Sequence, residues 1–221
     1  MEQRYVRNLG ALTASECGVL REKRIFVAGC GGLGGYLIES LLRLGVGGIT
    51  VCDGDEFEPS NLNRQLYSTP GLLGRSKAEA AAERAVQVNP EVNVQARPVF
   101  LTRENAPDLL AGHALALDAL DNLDSRLILA GACTQHGIPL IHGAVRDWCA
   151  QVAVIPPGDR LLERIYQAPP DHGGSLSCTC ALCAALQIAE AVKLLCGRPS
   201  GLMGKVLYAD LLRQEYTLLT L

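Results

Sequence analysis

The sequence predicts an α/β fold with a doubly wound, Rossmann-like and mostly parallel sheet that ends in a C-terminal antiparallel hairpin. Three observations support this prediction. Short apolar runs of strand length alternate with amphipathic helical patterns along the chain. A glycine-rich turn joins the first apolar run to the first long helical pattern. Residues 205–221 contain two strand patterns on either side of a turn near Leu212.

The first helix and the helices that follow have clear start and stop signals. Thr13 followed by Glu16 marks a helix start near the N-terminus. A second helix follows the glycine-rich turn and is expected to end at Gly45. Ser76 caps an alanine-rich helix, which ends before Pro90 because the residue preceding proline disfavours helix.

The later elements alternate in the same way. Strands are predicted at residues 92–96, 114–117, 139–141 and 151–155, and helices at residues 124–135 and 179–195. The first of these two helices is expected to end at Gly137. Residues 156–177 are rich in proline, glycine and charge, so we expect them to form a surface crossover.

The length and composition favour one folding unit. The chain has 221 residues and 48% apolar content, so we expect a single domain over residues 1–221. Its net charge is −3, with acidic and basic residues interspersed, and this charge disfavours a nucleic-acid partner. The nine cysteines lie within helix and strand patterns and the first residues form no apolar leader. We therefore expect reduced thiols, a cytoplasmic location and no membrane segment.

Residues 24–55 form the predicted centre of the fold. An apolar run, residues 25–28, enters a turn that carries Gly29, Gly31, Gly32 and Gly34. A helix and a second apolar run follow, and that run ends at Asp53. Glycines in such a turn let a phosphate approach the helix N-terminus, and an acid about 20 residues later can bind a ribose hydroxyl. The stretch predicts a nucleotide site with Asp53 on the ribose, without specifying the nucleotide.

Charged residues are expected at the carboxyl ends of the strands, where open α/β sheets bind ligands. Arg64 lies in a polar loop after the second strand, and Asp118 and Asp121 follow the fourth. Lys77 lies in the first turn of a helix, where it opposes the helix dipole. This position indicates either a nearby anion or an exposed lysine of little consequence.

Two classes of nucleotide site fit this framework to different degrees. A nucleoside triphosphate requires cations at its phosphates and a carboxylate for Mg²⁺, which Arg64, Lys77 and Asp121 could supply. An NAD-dependent oxidoreductase has no evident need for the two cations. The Walker lysine motif is absent from the sequence, which excludes a P-loop NTPase in its usual form.

The combined motifs GCGGLG, DGDEFEPSNLNRQ, GRSK and LDALDN resemble the ThiF/MoeB/HesA family, relatives of the ubiquitin-activating enzymes. The resemblance covers nearly the whole chain. It implies a homodimeric Rossmann-like adenylyltransferase that uses ATP and Mg²⁺. The implied substrate is the C-terminal glycine carboxylate of a small ubiquitin-like or sulfur-carrier protein ending in Gly-Gly. Its adenylation would release pyrophosphate, as in thiamine or molybdopterin biosynthesis.

The resemblance also implies roles for individual residues. Arg64 and Lys77 would act at the phosphates, Asp121 would hold Mg²⁺, and Arg7 would reach into the partner subunit's site. From the sequence alone, Arg7 is as easily explained as part of a solvated terminus. The nucleotide-binding set implied by the resemblance is Gly29, Gly31, Gly32, Gly34, Asp53, Asp55, Ser60, Asn61, Arg64, Gln65, Lys77 and Asn122.

The cysteines are where the chain departs from the family pattern. Many members bind a structural zinc with two CxxC pairs, whereas this sequence has only the pair Cys180 and Cys183. One pair cannot close a tetrahedral site, so we expect no structural zinc. Cys178 is the candidate nucleophile for a thioester or persulfide, because a helix N-terminus favours the thiolate. Alternatively, Cys178, Cys180 and Cys183 serve as small buried hydrophobic residues.

Three alternatives remain open at this point. A tRNA-modifying dehydratase of the same superfamily would also adenylate a carboxylate, although the acidic net charge disfavours an RNA substrate. An NAD-dependent oxidoreductase would use the glycine turn and Asp53. A non-catalytic binding module is disfavoured by the presence of Arg64, Lys77 and Asp121. The sequence does not name the acceptor protein.

Overall fold

A single eight-stranded sheet, ordered β3-β2-β1-β4-β5-β6-β7-β8, forms the centre of the protein. The computed structural model describes residues 3–167 and 173–221. The strands are β1 (Arg24–Ala28), β2 (Gly48–Cys52), β3 (Asn93–Arg97), β4 (Leu115–Asp118), β5 (Leu140–Arg146), β6 (Cys149–Ile155), β7 (Val206–Asp210) and β8 (Glu215–Leu219). The α-helices are α1 (Ala14–Arg21), α2 (Gly34–Leu44), α3 (Lys77–Val88), α4 (Ala106–Leu110), α5 (Leu123–His136), α6 (Leu161–Ile165) and α7 (Ser177–Leu195).

The sheet is parallel at one end and antiparallel at the other. Strands β3, β2, β1, β4 and β5 pair in parallel. Strands β6, β7 and β8 continue the sheet in antiparallel pairs. The predicted C-terminal hairpin is confirmed, but the antiparallel part begins one strand earlier than expected. The reason is local: β5 and β6 are joined by only Asp147 and Trp148, and a two-residue connection can link only antiparallel strands.

The core is divided between the two faces of the sheet. On β1, Ile25 and Val27 belong to a cluster with α2, α3 and α7, whereas Phe26 and Ala28 belong to a cluster with α4, α5 and α6. Because both faces are covered, residues 25–28 of this strand are all apolar and do not alternate with polar residues. The doubly wound architecture predicted from the sequence is confirmed.

The start and stop signals are also confirmed in the structure. Thr13 and Glu16 form a capping box at α1. Ser76 caps α3, and its side chain accepts a hydrogen bond from the Glu79 N–H. Helices α2 and α5 end at Gly45 and Gly137, which have φ values of 76° and 65° in the left-handed region.

Three predictions needed correction. Strand β5 extends to Arg146, well beyond the predicted residue 141, because it pairs along its full length with β6. Helix α4 was not predicted. The crossover, residues 156–177, was expected to lie on the surface, yet α6 within it buries Leu161 and Leu162 fully against the sheet. Residues 168–172 of that crossover lie outside the described residues.

Helix α7 is the one helix in the described part of the chain that is long and apolar enough to cross a membrane. Half of its most apolar window is buried inside the fold. Its contacts with α2, β5 and β6 are those of a core helix packed on a sheet.

Candidate nucleotide site

The glycine turn between β1 and α2 depends on the absence of side chains. Gly29 has a φ of 95° and its Cα lies against the next loop: a Cβ there would stand 2.6 Å from the Ala119 carbonyl oxygen. At Gly34, the first residue of α2, a Cβ would stand 1.9 Å from the Gly29 carbonyl oxygen. Neither position can accept a side chain without movement of the backbone. The tight turn predicted from the sequence is present.

Asp53 fastens this turn to the end of β2. One carboxylate oxygen accepts the Cys30 N–H at 2.7 Å, and the other accepts the Asp55 N–H at 2.8 Å. Burial raises the pKa of Asp53, and the two amide hydrogen bonds oppose that rise. Each oxygen keeps a further lone pair, so the carboxylate can accept a ribose hydroxyl while it holds the turn.

The glycine turn is covered from the side of the loop that follows β2. A Cβ on Gly32 would lie 3.6 Å from Arg64 Cγ, and one on Gly31 would lie 3.4 Å from Gln65 Nε2. Arg64 is held by its own loop, donating to the Ser60 carbonyl at 2.9 Å and to Asn63 Oδ1 at 3.0 Å. A cation is thus held beside a cradle of backbone N–H groups.

The polar side chains of Ser60, Asn61 and Gln65 in that loop differ in burial and in hydrogen bonding. Asn61 is buried and its Oδ1 accepts the Glu58 N–H at 3.0 Å, which caps a short 3-10 helix. Ser60 is exposed. Gln65 Oε1 is buried beside the turn and accepts no hydrogen bond from the described residues. A buried acceptor without a donor is costly, and a bound ligand that donates a hydrogen bond would satisfy it.

Lys77 is buried beside an anion. Its ammonium group lies 3.0 Å from Asp55 Oδ2, and its backbone N–H donates to the Asp55 carbonyl at 3.0 Å. Only 8% of the lysine side chain is exposed, whereas 52% of the Asp55 side chain is. The interpretation of Lys77 as an exposed surface residue was therefore wrong, and the nearby anion in this structure is Asp55.

Asp121 and Asn122 lie at the same edge of the sheet. Their loop starts at Ala119, whose N–H donates to the Ala28 carbonyl at 2.9 Å, directly beside the glycine turn. Asn122 caps α5 and also donates to Asp121 Oδ1 at 3.2 Å. Asp121 is exposed. Within residues 3–167 and 173–221 no three His, Cys, Asp or Glu side chains cluster, and one carboxylate with substrate phosphates is the arrangement usual for Mg²⁺.

Arg7 is not part of this cluster of side chains. It lies in a 3-10 helix, Gln3–Asn8, that packs on the C-terminal end of α2 through Tyr5. A Cβ on Gly45 would meet the Tyr5 ring at 2.4 Å. The glycine turn is at the other end of α2, and a helix of 11 residues is about 16 Å long. Arg7 is exposed at the edge of the sheet opposite the candidate site.

The three cysteines at the start of α7 lie in two environments. All nine cysteines of the chain are free thiols, as predicted. Cys180 and Cys183 are fully buried under α2 and the sheet, and burial raises the pKa of both. They fit the alternative of small buried hydrophobic residues. Cys178 is exposed in the first turn of α7, so it does not belong to that buried group.

A group of buried polar residues beneath the Asp121 loop was not singled out from the sequence. Asp118 had been expected beyond β4, but it is the last residue of that strand and is fully buried. It contacts His142 and Arg126, and burial lowers the pKa of His142. The sequence does carry a signal for two of them, because Asp118 and His142 interrupt otherwise apolar strands.

Comparison with known proteins decides the family. The family model of ThiF matches residues 5–221. The chain belongs to the ThiF family. A sulfur carrier protein adenylyltransferase from Thermus thermophilus is 35% identical over 218 residues, covering 91% of this chain and 79% of that protein. The SAMP-activating enzyme E1 of Haloferax volcanii is 33% identical, over 87% of this chain and 74% of that enzyme.

One longer sequence relative and two solved structures are also similar to this chain. The chain spans 55% of a probable adenylyltransferase/sulfurtransferase MoeZ from Mycobacterium tuberculosis, at 33% identity. Among solved structures, E. coli MccB with ATP superposes with a TM-score of 0.84 at 20% identity, covering 100% of this chain and 71% of MccB. E. coli tRNA N6-threonylcarbamoyladenosine dehydratase has a TM-score of 0.75 at 23% identity, over 88% and 95% of the two chains. These two similarities establish the fold alone.

Proposed function

We propose that the protein adenylates the C-terminal glycine carboxylate of a small ubiquitin-like sulfur-carrier protein ending in Gly-Gly, using ATP and Mg²⁺ and releasing pyrophosphate. Sequence relatives covering most of the chain are named as adenylyltransferases or activating enzymes of such carriers. The structural observation that carries the proposal is the position of Arg64 and Gln65 over the glycine turn. A cation beside a phosphate cradle serves a triphosphate better than a nicotinamide cofactor.

The proposed nucleotide position follows from the side chains around the turn. Gly29, Gly31, Gly32 and Gly34 would receive the phosphates, and Asp53 would accept the ribose hydroxyls while it holds the turn closed. Gln65 Oε1, which lacks a donor, supports the presence of a polar ligand there. Ser60, Asn61, Asp55 and Asn122 would complete the surroundings of the nucleotide.

The proposed reaction joins two anions. An oxygen of the acceptor carboxylate attacks the α-phosphorus, the bond from that phosphorus to the bridging oxygen breaks, and pyrophosphate leaves with the bonding electrons. Arg64 and Lys77 would lower the repulsion and stabilise the charge on the leaving group. The carboxylate is already deprotonated at neutral pH, so no general base is required. Asp121 would hold Mg²⁺, which supplies further charge neutralisation when bound.

The ion pair of Lys77 with Asp55 supports this role for the lysine. The 3.0 Å contact with Asp55 holds the ammonium group at the carboxyl edge of the sheet. Because Asp55 is half exposed, the pair is weakened by water, and a phosphate can share or displace the carboxylate at small cost. Lys77 would then be available to the nucleotide without a rearrangement of α3.

We further propose that the active form is a homodimer in the cytoplasm, with residues 1–221 as one domain. Arg7 lies in the 3-10 helix that packs on the end of α2 opposite the glycine turn, and we therefore assign it to the site of another copy. Cys178 is the exposed thiol nearest the start of α7 and is the proposed nucleophile if the adenylate is passed to a cysteine.

Pyrophosphate exchange into ATP tests the proposed function. The purified protein is incubated with ATP, Mg²⁺ and candidate carriers ending in Gly-Gly, and with the same carriers lacking the last glycine. We expect exchange only with the complete carriers. The variant Asp121→Ala should lose on the order of 10²-fold or more in exchange rate, as loss of a transition-state charge partner commonly does. Asp124→Ala removes an exposed aspartate in the first turn of α5, the helix that follows the Asp121 loop, and should leave the rate unchanged.

Two results would contradict the proposal. Parental exchange by Asp121→Ala would remove Asp121 from the metal role. Exchange that requires a tRNA and ignores every carrier would instead favour the dehydratase alternative.

A further inference from the structure

The buried polar residues beneath the Asp121 loop form one connected cluster around Asp118. Asp118 and His142 have no exposed surface, and Arg126 is 5% exposed. Asp118 Oδ2 lies 2.6 Å from His142 Nδ1 and 3.5 Å from Arg126 Nε. Removing ions from water costs several kcal/mol each, and burial of this cluster is not needed for any of the nucleotide contacts proposed above.

The hydrogen bonds of the cluster are consistent with one assignment of protons. His142 donates from Nδ1 to Asp118, which leaves Nε2 as an acceptor. Tyr166 and Gln151 both lie 3.1 Å from that Nε2 and can donate to it. The Tyr166 hydroxyl in turn accepts from Arg126 Nη1 at 2.9 Å and from Gln151 Nε2 at 2.7 Å. This pattern requires a neutral imidazole, and the lowered pKa of buried His142 agrees with it.

The cluster fixes the peptide groups next to Asp121. Asp118 Oδ1 accepts the Leu120 N–H at 2.9 Å, and Arg126 Nη2 donates to the Leu120 carbonyl at 2.6 Å. Both backbone polar groups of Leu120 are therefore bound to charged side chains, and Asp121 is the next residue. Hydrogen bonds to charged groups are roughly twice as strong as neutral ones.

Tyr166 connects this arrangement to the crossover. It is the C-cap of α6, the short helix that buries Leu161 and Leu162 against the sheet. Its ring packs under the Arg126 guanidinium, with 5.2 Å between the guanidinium carbon and the ring centroid. Without the Tyr166 hydroxyl, Arg126 and His142 would each lose a hydrogen-bond partner in a buried environment.

We propose that Tyr166, His142 and Arg126 are positioning residues that set the backbone of the Asp121 loop by way of Asp118 and Leu120. The consequence for catalysis rests on the proposed function, in which Asp121 holds Mg²⁺. The positioning itself does not, because it concerns the Leu120 peptide groups alone. Seating of α6 in the crossover and placement of Asp121 are thereby coupled.

The test uses Tyr166→Phe, which keeps the ring and removes the hydroxyl. The matched control is Tyr67→Phe, another tyrosine whose ring is buried and whose hydroxyl contacts Glu39 at 3.5 Å, away from Leu120. Hydrogen exchange of the Leu120 amide is measured in both full-length variants by NMR. We expect exchange about five-fold faster in Tyr166→Phe, which corresponds to the loss of roughly one hydrogen bond, and no change in the control.

A second measurement connects the positioning to the metal. Binding of the non-hydrolysable analogue AMPCPP is measured by calorimetry with Mg²⁺ and with EDTA. In Tyr166→Phe we expect weaker binding with Mg²⁺, by about five-fold, and parental binding in EDTA. A purely structural defect would weaken both equally.

The outcomes separate the two proposals. Unchanged Leu120 exchange in Tyr166→Phe overturns the positioning role, whatever the enzyme's activity. Faster Leu120 exchange in a parental protein that binds no AMPCPP upholds the positioning role and contradicts the proposed function. Faster exchange with parental AMPCPP affinity in Mg²⁺ overturns the coupling between Tyr166 and the metal site.

Discussion

At the scale of single residues, Lys77 shows how a buried charge can be held in place by a partly exposed partner. The side chain is 8% exposed and its ammonium group contacts Asp55 at 3.0 Å. Burying an ammonium group without a partner is costly, and the contact with Asp55 offsets part of that cost. A partly exposed carboxylate is a suitable partner because water screens the pair and lets it exchange.

The first prediction concerns this lysine. Lys77→Ala removes a cation proposed to stabilise the leaving pyrophosphate, so we expect the rate of carrier-dependent pyrophosphate exchange to fall on the order of 10²-fold. The comparison variant is Lys193→Ala, because Lys193 also pairs with an acid, Glu190, but lies on α7 away from the glycine turn. Equal rates for the two variants would remove Lys77 from the site.

The residue scale also shows what the sequence can predict about a site. The positions of polar residues after the strands predict that Asp53, Arg64 and Gln65 lie at the same edge of the sheet as the glycine turn. The reason is that the carboxyl ends of parallel strands share one edge. Asp118 and His142 were missed as a pair, since the contact joins side chains 24 positions apart in the sequence. Spacing along one strand carries no information about such a contact.

At the scale of elements, the start of α2 packs directly on the turn that leaves β1. Gly34 begins α2 while its Cα lies against the Gly29 carbonyl, so the end of the strand and the start of the helix touch directly. The elements predicted best were those with local signals, such as the cap at Ser76 and the stop at Gly137. The length of β5 and the burial of α6 depend on distant partners, and local patterns could not supply them.

The second prediction uses two helical glycines. Gly34→Ala places a Cβ 1.9 Å from a backbone oxygen, so the backbone must move, and we expect a lower free energy of unfolding together with weaker ATP binding. Gly18 lies in α1, and a Cβ there would meet nothing within 4 Å. Gly18→Ala should therefore raise the free energy of unfolding by about 0.5–1 kcal/mol, because alanine favours helix.

Urea denaturation and ATP titration of both variants provide the measurement. A Gly34→Ala protein as stable as the parent, with parental ATP affinity, would show that the turn tolerates a side chain and that its close contact is not required.

At the scale of the whole molecule, the position of Arg7 has a consequence for assembly. The N-terminal 3-10 helix is fixed to the C-terminal end of α2 by Tyr5, whose hydroxyl accepts a hydrogen bond from the buried Asn89 side chain at 2.7 Å. The arm is thus packed on the fold through Tyr5, and Arg7 itself is exposed to solvent. In the proposed dimer, two-fold symmetry would give each site one Arg7 from the other subunit.

The third prediction tests that shared site. Arg7→Ala and Asp121→Ala chains are each expected to be inactive as homodimers. In a mixed dimer one site carries both lesions and the other carries neither, so exchange activity should return towards half per dimer. The measurement is pyrophosphate exchange after subunit mixing, with mixing followed by native mass spectrometry. If mixed dimers form and remain inactive, Arg7 does not act across the interface.

Gly32 of the glycine turn lies against Cys180 of α7, a helix that comes much later in the chain. A Cβ on Gly32 would lie 3.1 Å from the Cys180 sulfur, and α7 also donates a hydrogen bond from Gln187 to the Asp118 carbonyl at 2.8 Å. During synthesis the glycine turn leaves the ribosome long before α7 does. The nascent chain therefore has the glycine turn without its contact with Cys180 until α7 has been made. Such contacts between distant parts of a chain slow folding, and a ribosome-bound fragment ending before α7 should be unable to retain nucleotide.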